Sequence, residues 1–366
     1  MNSEKFIRNL GVVKDKTSEL YHFHVFNDLK NNKSTLFGRK KSSAEETNLY
    51  STTHNFIRDI NKVDDSYASK NFLSSFVWCE RKGISSHTEL HYAEIDEKLN
   101  VVRHTILDNG SAINEYVLVR ASLVEDMLLL TWVDELEQMV KLRLYALDTL
   151  LPVSADLKVE SPLNRNYFNT SQNRTANLTL TPARENKFYL QFLLDSGSIC
   201  CYEIIVSDNT LHSEHLFEQG GENVGYHEAL FDADYNKLMT VYSENNLESL
   251  NNINDVYIIN QSIFSEHNFK GMLSLPTRVN QTTGFYLRPT FLKYKNQFIV
   301  LWEGTSLHYT GLNSDLNITI PEEIIDIANP AYIHMLDNGS LLVSVQKDNW
   351  RTIDYGESLF SAELPI

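Results

Sequence analysis

The chain has 366 residues, and its 48 acidic against 32 basic side chains give a formal net charge of −16. The only compact basic run is Arg39-Lys40-Lys41, so a phosphate backbone finds no basic stripe and nucleic acid is not an expected partner. No apolar stretch is long enough to span a bilayer, and Met1 to Lys5 opens no apolar secretory core; the expectation is no membrane insertion, with a cytoplasmic location or export without an ordinary signal peptide.

Taken in chain order, the first candidate strand is Phe6 to Val13. The turn text Lys14-Asp15-Lys16-Thr17 separates it from Leu20 to Phe26, where His22 and His24 share a strand face, and Phe37 follows. Phe72 to Trp78 and Leu90-His91-Tyr92 come next, then a weaker candidate at Leu99 to Ile106. Tyr116 to Val124 turns through Glu125-Asp126 into Met127 to Val133, followed by Leu144-Tyr145 and Asp156 to Glu160. The polar segment Ser161 to Thr179 reads as the longest connection. Beyond it stand Phe188 to Leu194, Cys201-Tyr202 and Leu211 to Phe217, then Leu238 to Tyr242 and Val256-Tyr257. Tyr286 to Tyr294, Phe298 to Trp302, Leu307-His308-Tyr309 and Leu316 to Ile320 form the next group. The last comprises Tyr332 to Leu336, the tight-turn text Asp337-Asn338-Gly339, Leu341 to Val345 and Phe360. These short runs are rich in aromatic and β-branched residues, which is strand chemistry.

The groups repeat. Phe37, Tyr92, Tyr145, Tyr202, Tyr257, Tyr309 and Phe360 follow one another at steps of 55, 53, 57, 55, 52 and 51 residues. Three to four antiparallel strands per unit of about 50 residues predict an all-β, seven-bladed β-propeller in which neighbouring sheets bury each other's faces. The reading is one domain over residues 1–366, with approximate blades at 4–60, 61–110, 111–165, 166–220, 221–280, 281–325 and 326–366. The aromatics are expected at equivalent positions on the third strands, and Trp78, Trp132 and Trp302 within second strands.

Chemistry is harder to read. Asp195-Ser196-Gly197-Ser198 makes no nucleophile elbow, and Gly220, Gly221 and Gly225 make no phosphate loop. Cys79, Cys200 and Cys201 read as reduced thiols without metal spacing, and the pairs His22/His24 and His212/His215 lack a convergent carboxylate. No cofactor or metal is expected. One constellation recurs: an acid after the second strand, at Glu80, Asp134 with Glu135, Asp195, Glu244 and Glu303. These are expected on one face with the starts of the first strands, Tyr116, Tyr226, Tyr286 with Arg288, and Tyr332 with His334, around a central mouth. The competing reading makes the acids solvated strand ends and the tyrosines packing between blades. Three functions follow from different classes: a non-enzymatic platform for a protein partner through the acidic rim, a glycan-binding module, and a glycan-cleaving hydrolase or lyase using carboxylates such as Glu115, Glu228 and Glu303.

Overall fold

The computed structural model describes residues 5–28, 30–31, 33–43, 45–53, 55–67, 71–82, 88–108, 116–134, 137, 139–159, 178–184, 186–194, 196–219, 224–245, 254–262, 276–281, 287–294, 297–303, 306–325, 330–335, 340–346, 353–354 and 360–363. Within them the chain is all strand and turn.

The first sheet is a meander of β1 (Lys5–Lys14), β2 (Leu20–Asp28), β3 (Lys33–Lys40) and β4 (Thr47–Thr53). Next come β5 (Asn55–Lys62), β6 (Asp64–Tyr67), β7 (Ser74–Lys82), β8 (Thr88–Ile95) and β9 (Val101–Asp108). The second sheet orders them β5-β7-β8-β9 and leaves β6 out. The third contains β10 (Tyr116–Val124), β11 (Met127–Asp134), β12 (Met139–Ala146) and β13 (Leu157–Val159), and takes β6 as a fifth strand. That strand runs parallel to β10, with Asp64 opposite Ser122 and Tyr67 opposite Val124. A four-stranded meander follows in β14 (Leu178–Pro182), β15 (Lys187–Leu193), β16 (Ile199–Ser207) and β17 (Thr210–Gln219). Another is β18 (Val224–Asp232), β19 (Lys237–Asn245), β20 (Asn254–Ser262) and β21 (Thr277–Arg278). The sixth sheet is β22 (Leu287–Tyr294), β23 (Gln297–Glu303), β24 (Leu307–Leu312) and β25 (Ile318–Ile325). In the last, β27 (Ser340–Gln346) pairs with β26 (Pro330–Met335), β28 (Ile353–Asp354) and β29 (Phe360–Glu363).

The repeated aromatics fall one per sheet, and six stand on third strands: Phe37 on β3, Tyr92 on β8, Tyr145 on β12, Tyr202 on β16, Tyr257 on β20 and Tyr309 on β24, whereas Phe360 stands on β29, which follows β28 in the chain and pairs with the second strand β27. The approximate boundary at residue 60 cuts through β5, which pairs with β7 along Asn55 to Lys62.

Two compact units emerge, Met1–Ser161 with Val206–His212 and Gln346–Ser358, and Pro162–Ile205 with Ser213–Val345 and Leu359–Ile366. Inside each, strands bury both faces, as their period of two allows. On β7, Phe76 and Trp78 pack with Tyr21, Phe23 and Val25 of the first sheet. Val77 and Cys79, one residue out of phase, pack with Leu128, Leu130 and Trp132 of the third. In the second unit Leu238 and Tyr242 of β19 meet Tyr189 and Cys201, whereas Met239 and Val241 meet Phe298, Val300 and Trp302.

This alternation separates two kinds of aromatic. Trp78, Trp132 and Trp302 are fully buried on second strands, and each faces the preceding sheet. The third-strand aromatics share a strand but not a face. Tyr92 packs toward the following sheet and Tyr145 toward the preceding one, while Phe37 and Tyr202 are half-buried. The two Leu-His-Tyr segments do share a register: Trp78 lies opposite and stacked on His91, and Trp302 opposite and stacked on His308.

Candidate functional site

The two ends of the sheets differ in chemistry. Every described non-glycine residue with positive φ, namely Ser18, Leu99, Glu125, Leu150, Asn186, Asp208, Asn209, Asn236 and Leu316, sits between a first and second or a third and fourth strand. In an antiparallel meander those turns share one end. Three use the same device: a side-chain oxygen of Asp15, Asp96 or Asn313 accepts the backbone N–H groups two and four residues on. The residue three positions on, Ser18, Leu99 or Leu316, takes the left-handed conformation that closes a three-residue hairpin loop.

At the other end, second strands finish opposite the starts of first strands. Asp28 lies opposite Lys5, Glu80 opposite Ile57, Asp134 opposite Tyr116, Glu244 opposite Val224 and Glu303 opposite Leu287. Here the register slips in the first half of the inner strand, at Asn9/Gly11, Ile57/Asp59, Tyr116/Val119, Val224/Tyr226, Leu287/Thr290 and Pro330/Tyr332. Such bulges bend a strand and re-aim its side chains. The connections 109–115, 160–177, 246–253 and 279–286 join strands at this end, whereas 263–276 joins a third to a fourth strand.

The expected juxtaposition of acids and first-strand starts is therefore present within individual sheets, but the described acids are not an exposed rim. Glu80 is 2% exposed. Its two oxygens accept hydrogen bonds from Tyr50 Oη at 2.6 Å and Thr52 Oγ1 at 2.7 Å, and His91 Nε2 lies 3.8 Å away. Glu89 approaches the same nitrogen at 3.3 Å, and His91 Nδ1 meets His104 Nε2 at 3.1 Å. Burial lowers the His91 pKa against the pull of Glu80, and burial together with Glu80 raises that of Tyr50. Asp134 is buried as well, 2.6 Å from Lys141 Nζ, which also reaches Glu137 at 3.1 Å. Burial works against the Lys141 charge, but hydrogen bonds to Asp134 and Glu137 outweigh it and hold its pKa above the usual value. Buried carboxylates persist where such partners replace water. The solvated acid expected at Glu80 and Asp134 is corrected accordingly.

Glu244 is half-buried at the end of β19. Glu303, Tyr116, Tyr226, Arg288, Tyr332 and His334 are placed by their backbones in strands. Glu115, Glu135, Asp195 and Tyr286 lie outside the described residues. Glu228, half-buried on β18, has its carboxyl pKa pushed up to about 7 by desolvation, against a hydrogen bond with Thr290 of β22.

Asp28 and Asp59, which the sequence did not single out, complete this end, while His22 and His24, noted there as a pair, lie along β2. Asp28 accepts from Asn31 N at 3.2 Å and Asn31 Nδ2 at 2.9 Å. Asp59, at the β5 bulge, crosses to the third sheet and accepts Val119 N at 2.9 Å and Arg120 Nη1 at 3.1 Å. No strand candidate of the sequence covers it, because β5 mixes apolar and polar residues over a short stretch. His22 and His24 stack at 5.7 Å, and burial lowers both pKa values, that of His24 to about 4.

No family model matches the chain, and no curated protein does. Solved structures do. The Dos1 propeller aligns at a TM-score of 0.51 and 11% identity, over 92% of this chain and 74% of that one. A candidate 6-phosphogluconolactonase from Bacteroides uniformis aligns at 0.51 and 9% identity, over 94% and 90%. A fucose-recognising lectin of Aleuria aurantia, a six-bladed propeller, aligns at 0.45 and 9% identity, over 90% and 97%. At such identities the likeness concerns fold alone. The fold is that of a β-propeller.

Proposed function

We propose that the chain is a single seven-bladed β-propeller, with blades opening at β1, β5, β10, β14, β18, β22 and β26, that binds another protein through its loop-bearing end. The observation that carries this reading is a difference between the two ends of the sheets: left-handed tight turns gather at one end, and bulged first-strand starts at the other. Loops on a rigid scaffold are where recognition is built. Glu80, Asp134 and Asp28 brace that end from inside, with both Glu80 oxygens engaged by protein donors. Contact with a partner falls to Glu244, Glu303, Glu135 and Asp195 and to the first-strand starts Tyr116, Tyr226, Tyr286, Arg288, Tyr332 and His334.

The test is Glu244→Gln with Glu303→Gln, measured for affinity toward a partner captured with the wild-type chain. The double variant is expected to bind more weakly, with a reduced salt dependence, because 0.15 M salt limits exposed charges to about 8 Å. Glu97→Gln, in an exposed turn at the opposite end, is expected to change nothing. Unchanged affinity in the double variant, or loss with Glu97→Gln, overturns the assignment of the face. A second reading, glycan cleavage, draws on Glu228: a carboxyl near pKa 7 suits a general acid. Turnover of a glycan that is abolished by Glu228→Gln would replace the binding reading.

A further inference from the structure

Three side chains of metal-ligating type meet on the outer strands of the fourth sheet. Cys200 lies on β16, and His215 and Glu218 lie on its neighbour β17. Their ligand atoms all fall within 4.8 Å of one another, with His215 Nε2 at 4.0 Å from Glu218 Oε1. Cys200 is 1% exposed, and His215 Nε2 is a buried nitrogen with no hydrogen-bond partner among the described residues. An imidazole nitrogen without a hydrogen bond beside a thiol and a carboxylate has its lone pair available to a metal ion. The surroundings hold the trio in place. Tyr202, two residues along β16 from Cys200, meets the His215 ring edge-on at 5.2 Å and stacks on Phe192 at 5.9 Å.

We propose that Cys200, His215 and Glu218 form a mononuclear Zn²⁺ site with an open fourth position. One sulfur, one imidazole nitrogen and one carboxylate oxygen match the ligand preferences of zinc, and three protein ligands leave room for water. Bonds of about 2.0–2.3 Å bring tetrahedral ligands roughly 3.3–3.8 Å apart. The half-buried His215 and exposed Glu218 side chains have the freedom to close the remaining gap. The charge balance is simple. Zn²⁺ replaces the thiol proton of Cys200, a Zn–S bond forms as S–H breaks, and one proton leaves to solvent. Without a cation, burial and the Glu218 carboxylate push the Cys200 thiol up to about 12; a dication at the centre of the trio reverses that field.

Cys201 supplies the control, because adjacent strand residues face opposite sides. It packs with Tyr189, Phe217 and Tyr242, away from the trio. Co²⁺ titrated into the full chain is expected to produce a thiolate-to-cobalt charge-transfer band saturating at one equivalent and bleached by Zn²⁺. Cys200→Ser and His215→Gln are each expected to weaken binding at least tenfold and remove or diminish the band, while Cys201→Ala keeps it. Should Cys200→Ser fail to fold, His215→Gln gives the same readout from a half-buried position. A wild-type chain without the band, a band unchanged in His215→Gln, or a band lost only with Cys201→Ala overturns the site.

Discussion

Among single residues, burial separates side chains that look alike in the sequence. Tyr92 and Tyr145 are fully buried, and replacing either with Ala is expected to cost about 3–5 kcal/mol by denaturant unfolding, whereas Tyr202→Ala, at a half-buried position, costs distinctly less. Equal losses at all three would mean that the repeated aromatic has one structural role after all. Leu99 and Leu316 hold φ of 63° and 64°, a conformation costly for a non-glycine residue, yet each is only 6% exposed and joins a core cluster. Burial of the leucine offsets the backbone strain, which a turn read from polar letters alone does not disclose. Glu228 carries a pH signature. Its folded pKa, about 7, lies above the ordinary 4.5, so its favourable contribution is complete below about pH 4.5 and disappears as pH rises through 7. Glu228→Gln stays neutral; urea midpoints should then fall less between pH 5 and 8 than in the wild type, and an identical pH slope in the two proteins would contradict the assigned environment.

At the level of strands, legibility followed burial. Second strands such as β7, β11 and β23 have apolar residues on both faces and announce themselves as continuous runs. β4, β5 and β6 read Thr-Asn-Leu-Tyr-Ser-Thr-Thr, Asn-Phe-Ile-Arg-Asp-Ile-Asn-Lys and Asp-Asp-Ser-Tyr, and none was recognised. Their polar groups are spent on partners far along the chain: Tyr50 and Thr52 on Glu80, Asp59 on Val119 and Arg120. For the same reason Glu80 and Asp134 were legible in position and misread in exposure, since position follows strand order while exposure depends on donors from other strands. Asp59→Ala is expected to destabilise by about 3–5 kcal/mol, because it strips Arg120 and the Val119 N–H of a buried acceptor. A loss under ~1 kcal/mol would show that the bulge in β10 finds another acceptor.

For the molecule as a whole, the regular spacing of the aromatics made the propeller readable, while face and blade edges depended on loop lengths that vary from repeat to repeat. Trp78, Trp132 and Trp302 report from three different sheets and are all at 0% exposure, so iodide should leave their emission largely unquenched. The proposed closed ring also predicts that variants retaining only one of them unfold in a single coincident transition, since no sheet buries both faces by itself; separate midpoints would divide the chain into independent folding domains. A last consequence concerns modularity. Residues 61–110 look in the sequence like one interchangeable unit, yet β6 is donated from inside that stretch to the sheet built by β10–β13, beside Ser122 and Val124. Shuffling or duplicating this repeat therefore carries away a strand belonging to its neighbour and leaves the edge of β10 uncovered. Among the described residues this gives a chain of otherwise similar repeats a point where copying one unit disturbs its neighbour.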